Sequence, residues 1–237
     1  MKQITARKFK AAVKLDPAWA LTLTEPVEIT GYCNMKFSGI THLSPLLHFA
    51  GRNAKEDAAS FSCCKNLRVA EGTFNGFVNF SESSVEKIGN LEITGSNKIG
   101  AAACFRSCNA LNIAQGTFPG SVCFNESGIT RIGELNITAP NEEGFAADFF
   151  RCKALEMAEG TFPGFVDFAM SGIKKVGKLA ITKPNKNGFK ANFLGCDIRL
   201  PVEFIGHEYV MSDSTRQKIL KRIAAANAQK ATPDLEI

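Results

Sequence analysis

Histidine is scarce in this chain: His42, His48 and His207 are the three present among 237 residues. A cysteine–histidine nucleophilic pair would have to draw on them, and each has a simpler structural reading. Zinc ligation is excluded by spacing. Of the eight cysteines, none sits in a C-x-x-C arrangement, and Cys33, Cys63, Cys64, Cys104, Cys108 and Cys123 make no four-ligand set. Walker A, Rossmann and metalloprotease motifs are missing as well, so the sequence predicts no enzyme, no cofactor and no metal. No window approaches the roughly 18 apolar residues of a membrane helix. The opening segment "MKQITARKFKAAVKLDPAW" is charged and lacks an apolar core, so no secretory signal is expected. That predicts a cytoplasmic protein, with signal-independent export as the alternative.

An excess of either sign of charge is missing from the body. Residues 1–16 hold five bases against Asp16, and residues 205–237 hold five bases against four acids. The 18 bases and 18 acids between them cancel, although the whole chain carries +5. A nucleic-acid binder would spread a basic stripe over its body. Here the bases gather at the ends, with Lys8, Lys10, Lys218 and Arg222 the candidates for an anionic partner.

Phenylalanine, glycine and repetition are what the chain has in quantity. "FRSCNALNIAQGTFPGSVCF" (105–124) returns as "FFRCKALEMAEGTFPGFVDF" (149–168). Shifting the chain by 44 residues aligns 61–104, 105–148 and 149–192, and the last two match at 24 of 44 positions. That is far beyond chance and marks a repeat architecture. Residues 21–60 read as a degenerate first copy, with "GYCNMKFSGITHL" (31–43) following "GSVCFNESGITRI" (120–132). Within each unit, "ACFRSC" and "VCFNES" share a pattern, so 44 residues divide into two coils of about 19 and 25. Leu91-Glu-Ile93, Leu135-Asn-Ile137 and Leu179-Ala-Ile181 alternate with the period of strands. Gly89, Gly133 and Gly177, and Gly100, Gly144 and Gly188, are expected to punctuate turns.

One coil cannot bury its own apolar face and must stack on copies of itself. Stacking puts Phe61/105/149/193, Phe74/118/162 and Phe80/124/168 into columns, ten of the nineteen Phe residues. It predicts Phe118 with Phe74 above and Phe162 below. Cys64, Cys108, Cys152 and Cys196 keep the 44-residue spacing, two strand spacings or about 9–10 Å apart. A disulfide needs Cα atoms within about 7 Å, so these read as buried structural thiols.

The fold expected is mainly β: a single-domain solenoid over residues 21–204, about nine coils stacking to about 40 Å. Helical caps are expected over 1–20, where Phe9, Ala12 and Val13 share a face, and over 205–237. In the latter, Ser214 and Gln217 have capping-box spacing and Ile219, Ile223 and Ala226 form a stripe.

The units resemble bacterial leucine-rich-repeat proteins of the BspA type. The family's I-x-x-I-G turn is matched by Val85 to Gly89, Ile129 to Gly133 and Ile173 to Gly177. Its F-x-x-C-x-x-L half is matched at Phe61 to Leu67, Phe105 to Leu111 and Phe149 to Leu155. Here about fifteen residues separate halves that nearly abut in the family. The A-[DN]-F pieces also resemble pentapeptide-repeat β-helices, without the tandem five-residue period, so the cross-section stays open between leucine-rich-repeat-like and β-helix-like. The resemblance implies a bacterial, non-enzymatic protein that binds another protein. Variable exposed positions over a constant core name Glu92, Asn136, Ala180, Arg68, Asn112 and Glu156 as the partner-binding candidates.

Overall fold

Ala70, Gly72 and Phe74 are buried while their neighbours in Val69–Phe74 are not, the two-residue period of a strand with one face inward. The computed structural model describes residues 1–198, 208–218, 220, 221 and 224. Its chain is mainly strand with few helices, in parallel sheets of a β-solenoid-like kind. One side is a nine-stranded sheet made of β3 (Cys33–Asn34), β5 (Asp57–Ser60), β7 (Phe77–Asn79), β9 (Ala101–Cys104), β11 (Ser121–Cys123), β13 (Phe145–Asp148), β15 (Phe165–Asp167), β17 (Ala191–Asn192) and β18 (Tyr209–Val210). On the other side, β1 (Lys2–Thr5), β2 (Val27–Thr30), β4 (Leu47–Phe49), β6 (Val69–Phe74) and β8 (Lys87–Ile93) form a five-stranded sheet. There β10 (Ile113–Phe118) pairs with β12 (Arg131–Ile137), and β14 (Met157–Phe162) with β16 (Lys175–Ile181). The chain crosses from side to side, and the inward rows of both join one core.

Register fixes the coil lengths locally. Cys104 pairs with Cys123 and Cys123 with Asp148, 19 and 25 residues along. The inward row of the nine-stranded sheet runs Ala59, Val78, Ala103, Val122, Ala147, Val166 and Ala191, alternating small and branched.

The phenylalanine columns differ from expectation. Phe61, Phe80, Phe105, Phe124, Phe149, Phe168 and Phe193 form a single stack. Their centroids lie 5.2–5.5 Å apart and their planes within 6–13°. Two of the expected columns are therefore one, because successive coils contribute alternately. Met35 takes the next position in the degenerate copy, its N–H bonded to Ser60 O as that of Phe61 is to Asn79 O. Phe118 does not lie between Phe74 and Phe162: its ladder partner is Ile137, and Phe74 pairs with Ile93. Residues 44 apart are two coils apart, so isoleucines separate these rings.

Beside the phenyl stack runs a column in which serine and cysteine alternate. Ser38 and Cys64, Ser83 and Cys108, Ser127 and Cys152, and Ser171 and Cys196 approach to 3.4–3.5 Å. Three of these thiols also donate to a phenylalanine carbonyl, as Cys108 does to Phe80 O at 3.1 Å. All eight cysteines are free. Cys64, Cys108, Cys152 and Cys196 are buried as expected, and Cys33 is buried too; Cys63, Cys104 and Cys123 are partly exposed.

The glycines divide differently from the sequence reading. Gly100, Gly144 and Gly188 are in loops at φ of 85°, 87° and 83°. Gly89, Gly133 and Gly177 lie inside β8, β12 and β16, beside a register shift, not in turns. A Cβ at 89 would lie 3.0 Å from Val69 Cγ1 and from Glu71 Cγ, so it is the close approach of the adjacent coil, not a turn, that marks this position.

At the N-terminal end α1 (Ala6–Leu15) is capped by Thr5, whose hydroxyl accepts from Lys8 N–H at 3.2 Å. Phe9 and Val13 are buried, and the Phe9 ring meets Phe49 edge-on at 5.7 Å. The start of the chain is a strand, β1, before the expected helix. At the other end residues 213–218 are helical, and Ser212 is the capping side chain, accepting from Thr215 N–H at 3.2 Å. Ser214 stands inside the helix, so the capping box read from Ser214 and Gln217 is shifted by two positions. Ile219, Ile223 and Ala226 lie outside the described residues.

Candidate functional site

Outward residues of the nine-stranded sheet form a polar row, and its centre is the candidate site. Cys104, Cys123 and Asp148 are consecutive there, one from each of β9, β11 and β13. Two loops overhang them. In each an asparagine folds the chain back on itself. Asn97 Oδ1 accepts from Ile99 and Ala101 N–H, and Asn141 Oδ1 from Glu143 and Phe145 N–H, at 2.9–3.3 Å. Both loops belong to 25-residue coils and touch over the shorter coil between, Glu142 N–H bonding to Ile99 O at 3.1 Å. The roof and the sheet enclose a groove of about 300 Å³ lined also by Phe77 and Phe145.

The electrostatics of this row are unlike the rest of the molecule. The neighbouring Cys123 thiol holds the Cys104 thiol below its usual value, against the opposing effect of burial. The Cys104 sulfur beside it and burial push the Cys123 thiol up. Cys123 Sγ is also 3.8 Å from Asp148 Oδ2, and burial raises the Asp148 carboxyl. By contrast, burial above all pushes Cys33 up to about 12 and Cys108 and Cys152 up to about 11, leaving them inert at neutral pH. Sequence reading passed over the Cys104–Cys123 pair. Its signal was the 19-residue spacing, the same as Phe105 to Phe124.

The six partner-binding candidates are all exposed. Glu92, Asn136 and Ala180 occupy matching places on β8, β12 and β16, in register with Thr73, Thr117 and Thr161. Arg68, Asn112 and Glu156 immediately precede β6, β10 and β14. Arg68 pairs with Glu86 at 3.2 Å and Glu156 with Lys174 at 2.5 Å. On this side the ladder is interrupted between β8 and β10 and between β12 and β14. The first gap opens a groove of about 590 Å³ lined by Gln115, Thr117, Glu134 and Asn136, and Gln115 Nε2 donates across it to Ile88 O at 2.9 Å.

The basic candidates do not form one patch. Lys8 and Lys10 are exposed on α1, which packs on β1, β2 and β3, whereas Lys218 follows β18 at the far end of the nine-stranded sheet. The separation is about 40 Å. Arg222 and His207 lie outside the described residues. His42 bonds to Thr41 Oγ1 at 3.0 Å and His48 lies 3.9 Å from Glu28, so neither engages a cysteine. Among the described residues no group of three or more His, Cys, Asp or Glu side chains could hold a metal, and no helix is long and apolar enough to cross a membrane. No protein family, curated protein or solved structure matches the chain.

Proposed function

We propose that this chain is a non-enzymatic interaction scaffold: a leucine-rich-repeat-like solenoid of 44-residue double coils that presents the interrupted strand side to a protein partner. What supports the reading is the contrast between rows. Phenylalanine, cysteine and serine recur inside, while the matching exposed places hold Glu92, Asn136 and Ala180, or Arg68, Asn112 and Glu156. A constant core under a varied surface is how solenoids carry specificity. The groove beside Asn136 adds relief to that surface. A photo-reactive amino acid at position 136 or 180 should cross-link a partner in the native host, while one at the corner residue Lys65 should not. Equal cross-linking from 136, 180 and 65 would overturn the assignment of the face.

A further inference from the structure

The polar row of the nine-stranded sheet is built around a side-chain acceptor. At Asn34, Asn79, Asp148, Asp167 and Asn192 an oxygen accepts the backbone N–H two residues on, at 2.8–3.1 Å. Ser60 does the same for Ser62 at 3.5 Å. Cys104 and Cys123 hold the two central places of this row, and there the backbone N–H groups of Arg106 and Asn125 act to lower the thiol pKa. A neutral thiol is a weak acceptor, so such a position favours the thiolate.

These two residues are also ladder partners on adjacent parallel strands. Adjacent strands are about 4.8 Å apart, inside the roughly 4.4–6.8 Å that a disulfide spans between Cα atoms. The 44-residue cysteine column, two coils apart, falls outside it. Cys104 and Cys123 are therefore the one pair among the eight cysteines that the ladder brings into register. Both are partly exposed and both line the groove under the asparagine loops.

We propose that Cys104 and Cys123 form a reversible thiol–disulfide site that reacts with small dialkyl disulfides, of which oxidised glutathione is an example. Cys104, as thiolate, attacks one sulfur of the small disulfide; a mixed disulfide forms and the first small thiolate leaves. Cys123 then gives up its proton, for which Asp148 Oδ2 at 3.8 Å is the nearest carboxylate oxygen. Its sulfur attacks the Cys104 sulfur and expels the second small thiolate. The protein loses two electrons and the small disulfide gains them; the proton released when Cys104 ionised and the proton given up by Cys123 end on the two small thiols. This site is on the side opposite the proposed partner face and is independent of that reading.

The test uses the full chain with excess oxidised glutathione, quenched with acid, alkylated under denaturing conditions and digested with trypsin. Peptide 99–106 carries Cys104, and peptide 107–131 carries Cys108 and Cys123. The wild type should lose two thiols together and yield these two peptides joined through Cys123, as fragmentation reads, and dithiothreitol should restore both thiols. Cys123→Ser should stop with one glutathione on Cys104, and Cys104→Ser should react about tenfold more slowly. Serine is native to this row at Ser60, so both variants should fold, which far-UV circular dichroism checks. Eight unreacted thiols in the folded wild type, a bond from Cys104 to Cys108, or equal rates for the two variants would each overturn the proposal.

Discussion

The Phe118 ring is 1% exposed, meets the edge of Phe105 at 6.5 Å and 77°, and shares its ladder place with Ile137. Phe118→Ala should therefore cost about 3–5 kcal/mol as a core cavity, while Asn136→Ala on the open face should cost under about 0.5 kcal/mol. Urea denaturation separates the two, and equal losses would mean the ring is not core. That such rings are buried was legible from their spacing; their neighbours were not. The eye finds a 44-residue period, whereas contacts fall at 19 and 25, so rows such as Phe105–Phe124 and Cys104–Cys123 are easily overlooked. The acidic pair makes a prediction with a sign. Burial raises the carboxyls of Asp148 and Asp167, which are ladder partners, so each binds its proton more tightly folded than unfolded. Stability should then fall as pH rises from about 4 through the raised folded values, and the penalty should persist at neutral pH. Asp148→Asn removes part of it and keeps an Oδ1 acceptor for Phe150 N–H, as Asn79 does for Ser81. Thermal melts should show the variant more stable than wild type at pH 7, with the advantage gone by pH 4.

Elements show the same division between what spacing reveals and what three-dimensional packing decides. Strands announced themselves by alternation. The G-T-F-P-G segment, at 116–120 and 160–164, ends a strand with its first three residues and bends only at its Pro-Gly. Its last glycine has a specific cause. A Cβ on Gly120 would come 2.3 Å from the carbonyl oxygen of Gly100, and one on Gly164 2.5 Å from that of Gly144, because each 25-residue coil brings its loop back against the next turn. Gly120→Ala should cost about 1–3 kcal/mol by overpacking. Gly39→Ala meets nothing within 4 Å and should change stability by under about 0.5 kcal/mol. Matched chemical denaturation of the two would expose an error if both were neutral. The interruption of the ladder between β8 and β10 had no sequence signal. It follows the bulge at Gly89, and that extra residue shows itself only when adjacent coils are laid together.

At the scale of the whole molecule, the repeat and the mainly β character were legible, and so was the helix over the N-terminal end. The concentration of bases at the termini was legible too, but not its layout: Lys8 and Lys10 lie on α1 beside β3, and Lys218 follows β18 at the opposite end of the nine-stranded sheet, so they do not form one patch. The alternation of short and long coils has a mechanical consequence. In the nine-stranded sheet the coils are bonded in series, each ladder holding only its neighbour, so a pull along the stack loads one ladder at a time. Each coil that peels away releases its contour, at most about 65 Å for 19 residues and about 85 Å for 25. A single molecule stretched from its termini should lengthen in steps that alternate between these two values. Uniform steps would mean that coils yield in pairs, and a single large step that the stack ruptures as one body.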